Sequence, residues 1–427
     1  MEKSKGKTGI IFLILSFCAG MAYFTPLLKF TFYDQMMSAL SLDDIQINML
    51  SSVYALVNTL VYPVSGVLGD KFSAKKLIAI SMFGLAVFTV FYALTTDYVT
   101  LIIIHAFFGI FAVGTFWAAY IKSIRNLGPE KDQGKLFGMS EGTRGIGQAV
   151  VGFIAVWIIG MCTGISQGFK AMLLFTAVVY ALLGILVLFF VPDTKAEVKE
   201  KAAGKKENSF ITAFKIPGTW IAILLLMSGF SLWLLANTYL TTYSVRVLGI
   251  SQQTASTLGI IRSYIIVLAA GFVGGWLMDK FTYRGKVFFV VFGLCIMTIA
   301  GIMGTSQLVT LSIALTIVLT LITNIIKSTY WSILGQAGIP PEMTAMCTGV
   351  ISFVAFIPEA IITVICGSWL KSAEAAGNIG SGFTKIFTFM VMWAVLGLIA
   401  GILLTRRTKK LKTADMLEEK NECTEIS

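Results

Sequence analysis

Twelve separate runs of apolar residues, each long enough to cross a bilayer, constrain this 427-residue chain more than any other feature. They lie at about 9–29, 46–69, 77–96, 99–121, 136–160, 170–191, 218–240, 255–278, 286–305, 308–330, 343–368 and 384–405. A spanning helix takes about 20 such residues, and a helix satisfies every backbone polar group within hydrocarbon. Charged residues make up 13% of the sequence and apolar ones 56%, so the charge share is about half of what coats a water-soluble globule. That excludes an ordinary soluble enzyme, a disordered chain and a collagen-like one. The chain is predicted to be an all-α membrane protein with twelve transmembrane helices. The basic start, Met1–Lys7, is followed by apolar residues with no small-residue cleavage site, so the first run reads as a retained helix.

An even number of crossings puts both termini on one side, and the basic residues choose which. With the termini in the cytoplasm, about 26 of the 33 Lys and Arg residues fall on the inner segments. The outer segments keep Lys29, Lys170, Arg246, Lys371 and Lys385, and Arg246 reads as an outer-surface residue. This imbalance predicts a multi-pass protein of the bacterial inner membrane with cytoplasmic N- and C-termini. It also accounts for the net charge of +11 as topology and attraction to anionic inner-leaflet lipid, not nucleic-acid binding. The polar stretch 192–217 reads as a linker between two six-helix bundles, 1–191 and 218–405, with a solvated cytoplasmic tail at 406–427. Six scattered cysteines and a single histidine give no disulfide framework and no metal site, so no cofactor is expected.

The two bundles share a signature. Gly66-Val-Leu-Gly-Asp70-Lys71-Phe72 lies between the second and third spans, and Gly275-Trp-Leu-Met-Asp279-Lys280-Phe281 between the eighth and ninth. The pattern GxLxDKF thus recurs 209 positions apart in equivalent inner turns. Glycine admits close helix packing, the aspartate can face a helix N-terminus, and the lysine can reach carbonyls or acids. A charge cluster that forms in one state and breaks in another is what a gate requires.

At these residues the sequence resembles the major facilitator superfamily, whose loop motif reads GxLaDrxGrrx, with a weaker copy in the second half. Ser73 and Ala74 replace the motif's second glycine and first basic residue. In the fourth span His105 stands where the family usually has arginine, four residues before Gly109. The fifth span lacks the Gly-Pro pair of drug/proton antiporters and reads Glu141-Gly142-Thr-Arg144-Gly145-Ile-Gly147. The layout from Gly20 through Lys76, with Phe116–Gly128, is similar to the organic-anion and organophosphate branch. The resemblance implies two six-helix pseudo-repeats, a small polar and anionic solute, and no enzymatic activity.

Charges within the spans mark the candidate site, because a mid-membrane charge costs about 2.5–3.5 kcal/mol unless it faces a cavity or partner. Glu141 and Arg144 share a helix face and either neutralise each other or leave Arg144 to bind an anion. Arg262 has no acid within one turn; it either contacts solute or pairs with Glu359, since guanidinium cannot shed its proton. Glu359 follows Pro358, a cavity-lining bend, and is a candidate for proton coupling or for a structural pair. His105 either relays protons or packs in the bundle. Lys29, Tyr33, Trp117 and Tyr239 complete the candidate substrate site, and Tyr23, Trp233 and Tyr330 are further candidate cavity walls. Lys122 and Lys327, each in an Ile-Lys-Ser triplet, read as snorkelling to the inner surface.

These readings predict a secondary transporter for an anionic organic solute, monomeric and in symport with protons, working by alternating access of the two halves. Anion exchange and a non-transporting sensor of the same fold are the alternatives. The absence of GxxxxGK[ST] from the sequence disfavours ATP-driven pumping.

Overall fold

The structure, a computed structural model, describes residues 2–128, 133–193, 209–340 and 344–425. Among these residues every regular element is helical. The first span is α1 (Glu2–Ala22) with α2 (Lys29–Leu40), followed by α3 (Asp44–Lys71) and α4 (Ala74–Leu94). The fourth span is α5 (Tyr98–Gly109) and α6 (Trp117–Arg125), joined by a π-helical turn at Ile110–Gly114; α7 (Gln133–Met161) and α8 (Ile165–Phe190) complete the first half. A short α9 (Ser209–Lys215) precedes α10 (Pro217–Arg246). The eighth span is α11 (Gln252–Ile260) and α12 (Ile266–Lys280) around a second π turn, Ile261–Ile265. Then come α13 (Arg284–Gly304) and α14 (Val309–Thr329), which tightens into a 3-10 turn at Tyr330–Ile333. The eleventh span is α15 (Thr344–Phe356) and α16 (Pro358–Ala375), and the twelfth is α17 (Ile379–Glu425).

Ten of these spans are, taken alone, long and apolar enough to cross a membrane; the remaining two crossings are α1 with α2, and α3. Large apolar side chains such as Leu60, Phe189 and Phe272 stand 66%, 80% and 82% exposed. Such faces suit lipid rather than water.

Polar residues at the helix ends set the turns. Asp43 and Gln46 form a reciprocal capping box at the start of α3, and Ser73, Asp97 and Ser251 accept from backbone N–H groups at the starts of α4, α5 and α11. These bonds satisfy donors that the first helical turn leaves unpaired.

The first span differs from its sequence reading. It does not end near Lys29 but breaks at residues 23–28 and resumes as α2, which is kinked at Phe32 and carries Asp34. Pro26 lacks the N–H that would continue the ladder. At the break Tyr180 of α8 bonds the backbone: its hydroxyl donates to the Met21 carbonyl at 2.6 Å and accepts from the Thr25 N–H at 3.2 Å. Tyr180→Phe keeps the ring and removes these bonds, leaving the Thr25 N–H without this acceptor while the Met21 carbonyl keeps the Phe24 N–H at 2.9 Å. It is expected to destabilise the protein by about 1–3 kcal/mol. Thermal unfolding of the purified variant checks this; an unchanged midpoint would contradict it.

Helix α17 continues past residue 406, so the tail is helical as far as Glu425. The linker ends in helix α9, whose Phe214 carbonyl accepts from the Trp220 indole at 2.8 Å; residues 194–208 lie outside the described residues.

The chain divides into two packed units. The first comprises Met1–Ala202 with Thr241–Leu268 and Ala360–Ile379; the second comprises Ala203–Leu240, Ala269–Glu359 and Gly380–Ser427. Parts of α10, α11 and α16 therefore belong to the packing of the first unit.

Candidate functional site

In the first unit, the end formed by α2, the start of α3 and the close of α10 holds a buried charge network. Arg246 donates through Nε to Asp34 Oδ1 and through Nη1 to Asp44 Oδ2, both at 2.8 Å. Thr242 Oγ1 also donates to Asp34 Oδ1 at 2.8 Å, while Asp34 Oδ2 is buried with no hydrogen bond. Tyr33 donates to Asp44 Oδ1 at 2.8 Å, its oxygen accepts from Asn48 at 2.8 Å, and Lys29 donates to Asn48 Oδ1 at 3.2 Å. The Arg246 guanidinium stacks 5.6 Å from the Tyr33 ring centroid. At the margin, Lys371 of α16 meets Asp43 at 2.8 Å. Partial burial raises the Asp43 carboxyl, but the Lys371 ammonium and the Gln46 N–H outweigh it and hold the group below the usual carboxylate range.

Arg246 is therefore not an outer-surface residue. Its helix runs one and a half turns past the end of the apolar run, which carries the guanidinium back onto two acids. Lys29 and Tyr33 lie in this network rather than beside Arg144.

Deeper in the same unit, α1, α6 and α7 assemble a second cluster. The Arg144 guanidinium lies 5.0 Å from the Tyr23 ring centroid, and Tyr23 meets Trp117 edge-on at 6.3 Å. Gly20 makes this approach possible, since a Cβ there would fall 2.9 Å from the Arg144 carbonyl. Gln148 pins the contact by donating to the Gly20 carbonyl at 2.9 Å. Tyr120 and Ser16 each bond Ser140 at 2.7 Å, fixing α6 and α1 against α7. Gly145 faces the Tyr264 carbonyl, which a Cβ would meet at 3.2 Å, and Tyr264 stacks on Phe24 at 6.5 Å. Arg262 sits on the π turn of the eighth span, 3% exposed, with Nη2 donating to Thr241 at 3.3 Å. A π turn adds one residue to the helix and re-aims the side chains around it, a device frequent at functional sites. Arg144 thus stands against aromatic rings on a helix packed beside the π turn that carries Arg262, and a guanidinium is a group that can bind a carboxylate or phosphate. The side chain of Glu141 lies outside the described residues.

The second unit carries its own polar cluster on α10, α14 and the start of α16. Lys327 stands 3.1 Å from the Trp233 ring centroid, and Trp233 donates to Asn324 at 3.1 Å. Lys327 thus covers an aromatic face. Glu359 opens α16 immediately after Pro358 and interacts electrostatically with Tyr330; a carboxylate suits this first helical turn. Tyr239 is fully buried in the same unit.

His105 packs in the bundle: its Nδ1 is 2.9 Å from the Leu101 carbonyl, and its ring meets Tyr92 and Phe108 edge-on. Lys122 donates to the Gly69 carbonyl at 3.2 Å, beside the first loop motif. At the first loop motif, Ser73 caps α4 and bonds Asp193, so the residue that departs from the family pattern supplies a contact of its own. In the second copy, Arg284 donates to the Ser332 carbonyl, and Gln336 bridges back by accepting from the Arg284 N–H at 3.0 Å and donating to Thr282 at 3.0 Å. Lys71, Gly275 and Lys280 are exposed, and the surroundings of Gly66 and the side chains of Asp70 and Asp279 lie outside what the structure describes.

Helical spans broken at Pro26 and Pro358, a motif repeated in both halves and charged side chains held inside the spans together describe a transporter fold. The family model for the Major Facilitator Superfamily matches residues 11–363. The chain belongs to the major facilitator superfamily. It is 25% identical over 409 residues to the inner membrane protein YqcE of Escherichia coli (strain K12), covering 92% of this chain and 96% of that one. A hexuronate transporter of Bacillus subtilis (strain 168) is 25% identical over 284 residues, 63% of this chain and 65% of that one. Among solved structures, the inward-facing, unoccupied form of a bacterial homologue of the human lysosomal transporter Spinster superposes with a TM-score of 0.75. It shares 15% identity and covers 94% of this chain and 97% of its own. Membership makes this a membrane transporter rather than an enzyme, with the all-α, twelve-helix fold of the family.

Proposed function

We propose that this transporter moves a small organic anion across the bacterial inner membrane, in symport with protons, by alternating access of two six-helix repeats, 1–191 and 218–405. The observation that carries the reading is the Arg144–Tyr23–Trp117 cluster beside the π turn bearing Arg262. Two guanidinium groups inside spans suit a carboxylate or phosphate, and aromatic walls suit the carbon skeleton of an organic acid. The Bacillus subtilis relative, by its name a hexuronate transporter, is consistent with an acidic sugar. The bias of basic residues toward one set of loops supports cytoplasmic termini, and the name of the Escherichia coli relative supports an inner-membrane location. On that orientation the Asp34–Asp44–Arg246 network closes the outer side, and the two loop motifs work as inner gates.

Binding is tested by thermal shift of the purified protein against hexuronates, sugar phosphates, aldonates and the corresponding neutral sugars. Stabilisation by one class of acid and not by its neutral counterpart is expected; stabilisation by neutral sugars alone would contradict the reading. We assign proton coupling to Glu359 and a packing role to His105. Glu359→Gln is expected to abolish uphill accumulation driven by a pH gradient while sparing solute exchange between the two faces. Measurement of both modes in proteoliposomes checks this, and unchanged uphill uptake would remove Glu359 from the proton path.

A further inference from the structure

A groove of about 410 Å³ runs between α13 and α17 in the second unit, away from every residue assigned above. It begins where the two helices touch backbone to backbone. A Cβ on Gly285 would meet the Gly401 carbonyl oxygen at 2.5 Å, and one on Gly401 would meet the Phe289 N at 2.9 Å. Beside that contact the helices leave a cleft whose floor is Phe289, Val290 and Ile402 and whose rim is Lys286, Arg406 and Lys409. Phe289 and Val290 are 42% and 57% exposed, and the three cations are exposed as well.

The rim is more basic than the lining alone indicates. The Tyr283 ring gathers the ammonium groups of Lys286, Lys409 and Lys412 at 5.5, 5.9 and 5.3 Å from its centroid. Among the described residues no carboxylate pairs with any of these cations. Like charges so close repel one another, and an anion placed among them relieves the repulsion. The position is also defined: α17 changes from the apolar Ile402-Leu403-Leu404 to the basic Arg406–Lys412 within one turn, which places the groove at the membrane edge.

A free phosphate would leave the apolar floor bare, and a neutral lipid would leave the cations uncompensated. We infer that the groove binds an anionic phospholipid, with its phosphate among Lys286, Arg406 and Lys409 and an acyl chain along Phe289, Val290 and Ile402. The occupant comes from the bilayer, so the site is filled laterally and is independent of the transported solute.

Native mass spectrometry of the detergent-purified full chain tests this with three probes: phosphatidylglycerol, phosphatidylcholine and glycerol 1-phosphate. The wild type is expected to retain phosphatidylglycerol about tenfold more strongly than phosphatidylcholine, and glycerol 1-phosphate at equal concentration is expected not to displace it. The triple variant Lys286→Gln/Arg406→Gln/Lys409→Gln should lose the preference, whereas Lys75→Gln/Lys76→Gln/Lys215→Gln should keep it. Equal retention of the two lipids, equal loss in both variants, or displacement by glycerol 1-phosphate would overturn the proposal. If the first variant fails to fold, the wild type still decides the matter: its preference must fall several-fold at 0.5 M salt, where charge attraction is screened within about 4–5 Å, and an unchanged ratio overturns the site.

Discussion

Arg246→Ala is expected to destabilise the protein by about 3–5 kcal/mol, the cost of removing one partner from a buried ion pair. The magnitude follows from what remains. Asp34 and Asp44 are 6% and 1% exposed, and without the guanidinium two carboxylates would stay buried without the ion-pair partner they share. Taking one charge away is costlier than taking all of them, because the penalty lies in the orphaned partners. The triple variant Asp34→Asn/Asp44→Asn/Arg246→Gln is therefore expected to recover much of the stability lost by Arg246→Ala alone. Arg246→Lys recovers less, since an ammonium cannot reproduce the two-pronged contact through Nε and Nη1. Thermal unfolding of the four proteins in one detergent measures the series. Equal midpoints for Arg246→Ala and wild type would show that the network contributes nothing to this state.

The second large effect concerns solute. Arg144→Ala is expected to weaken binding of an anionic substrate by about 10- to 150-fold, the equivalent of about 1.5–3 kcal/mol for hydrogen bonds to a charged group. The fold should survive, because Gln148 and Ser140 still hold α7 against α1 and α6. A uniform loss of stability with unchanged affinity would instead make Arg144 structural. Arg144→Lys is informative beside it. An ammonium stacks less well on Tyr23 and presents no planar fork, so its affinity should fall between the other two.

The membrane fold was legible because hydrocarbon imposes a one-dimensional rule on sequence: a crossing is a run of apolar residues, and it can be counted. The loop motifs were legible because they repeat. The charge network was not. Arg246 lies 202 and 212 positions from Asp44 and Asp34, and nothing in one sequence states that α10 returns to α2. Hydropathy ends the first and seventh spans at about 29 and 240, short of Asp34 and Arg246, which lie inside α2 and α10. Pro26 signalled a break, but Tyr180, which bonds the backbone there, is one buried tyrosine among several. The deeper candidates fared differently. Arg144 and Trp117 meet around Tyr23, and Arg262 is buried on a π turn, a local geometry without a known residue code. Lys29 and Tyr33 lie in the network around Asp44 and Asn48.

The proposed uphill carriage of an organic anion with protons, through a site containing Arg144, is tested most directly with purified protein in proteoliposomes, given an acid-outside pH gradient and a labelled hexuronate or related sugar acid. Accumulation is expected that a protonophore abolishes and that Arg144→Ala removes, with the matching neutral sugar left outside. Accumulation of the neutral sugar at the same rate, undiminished in Arg144→Ala, would contradict it.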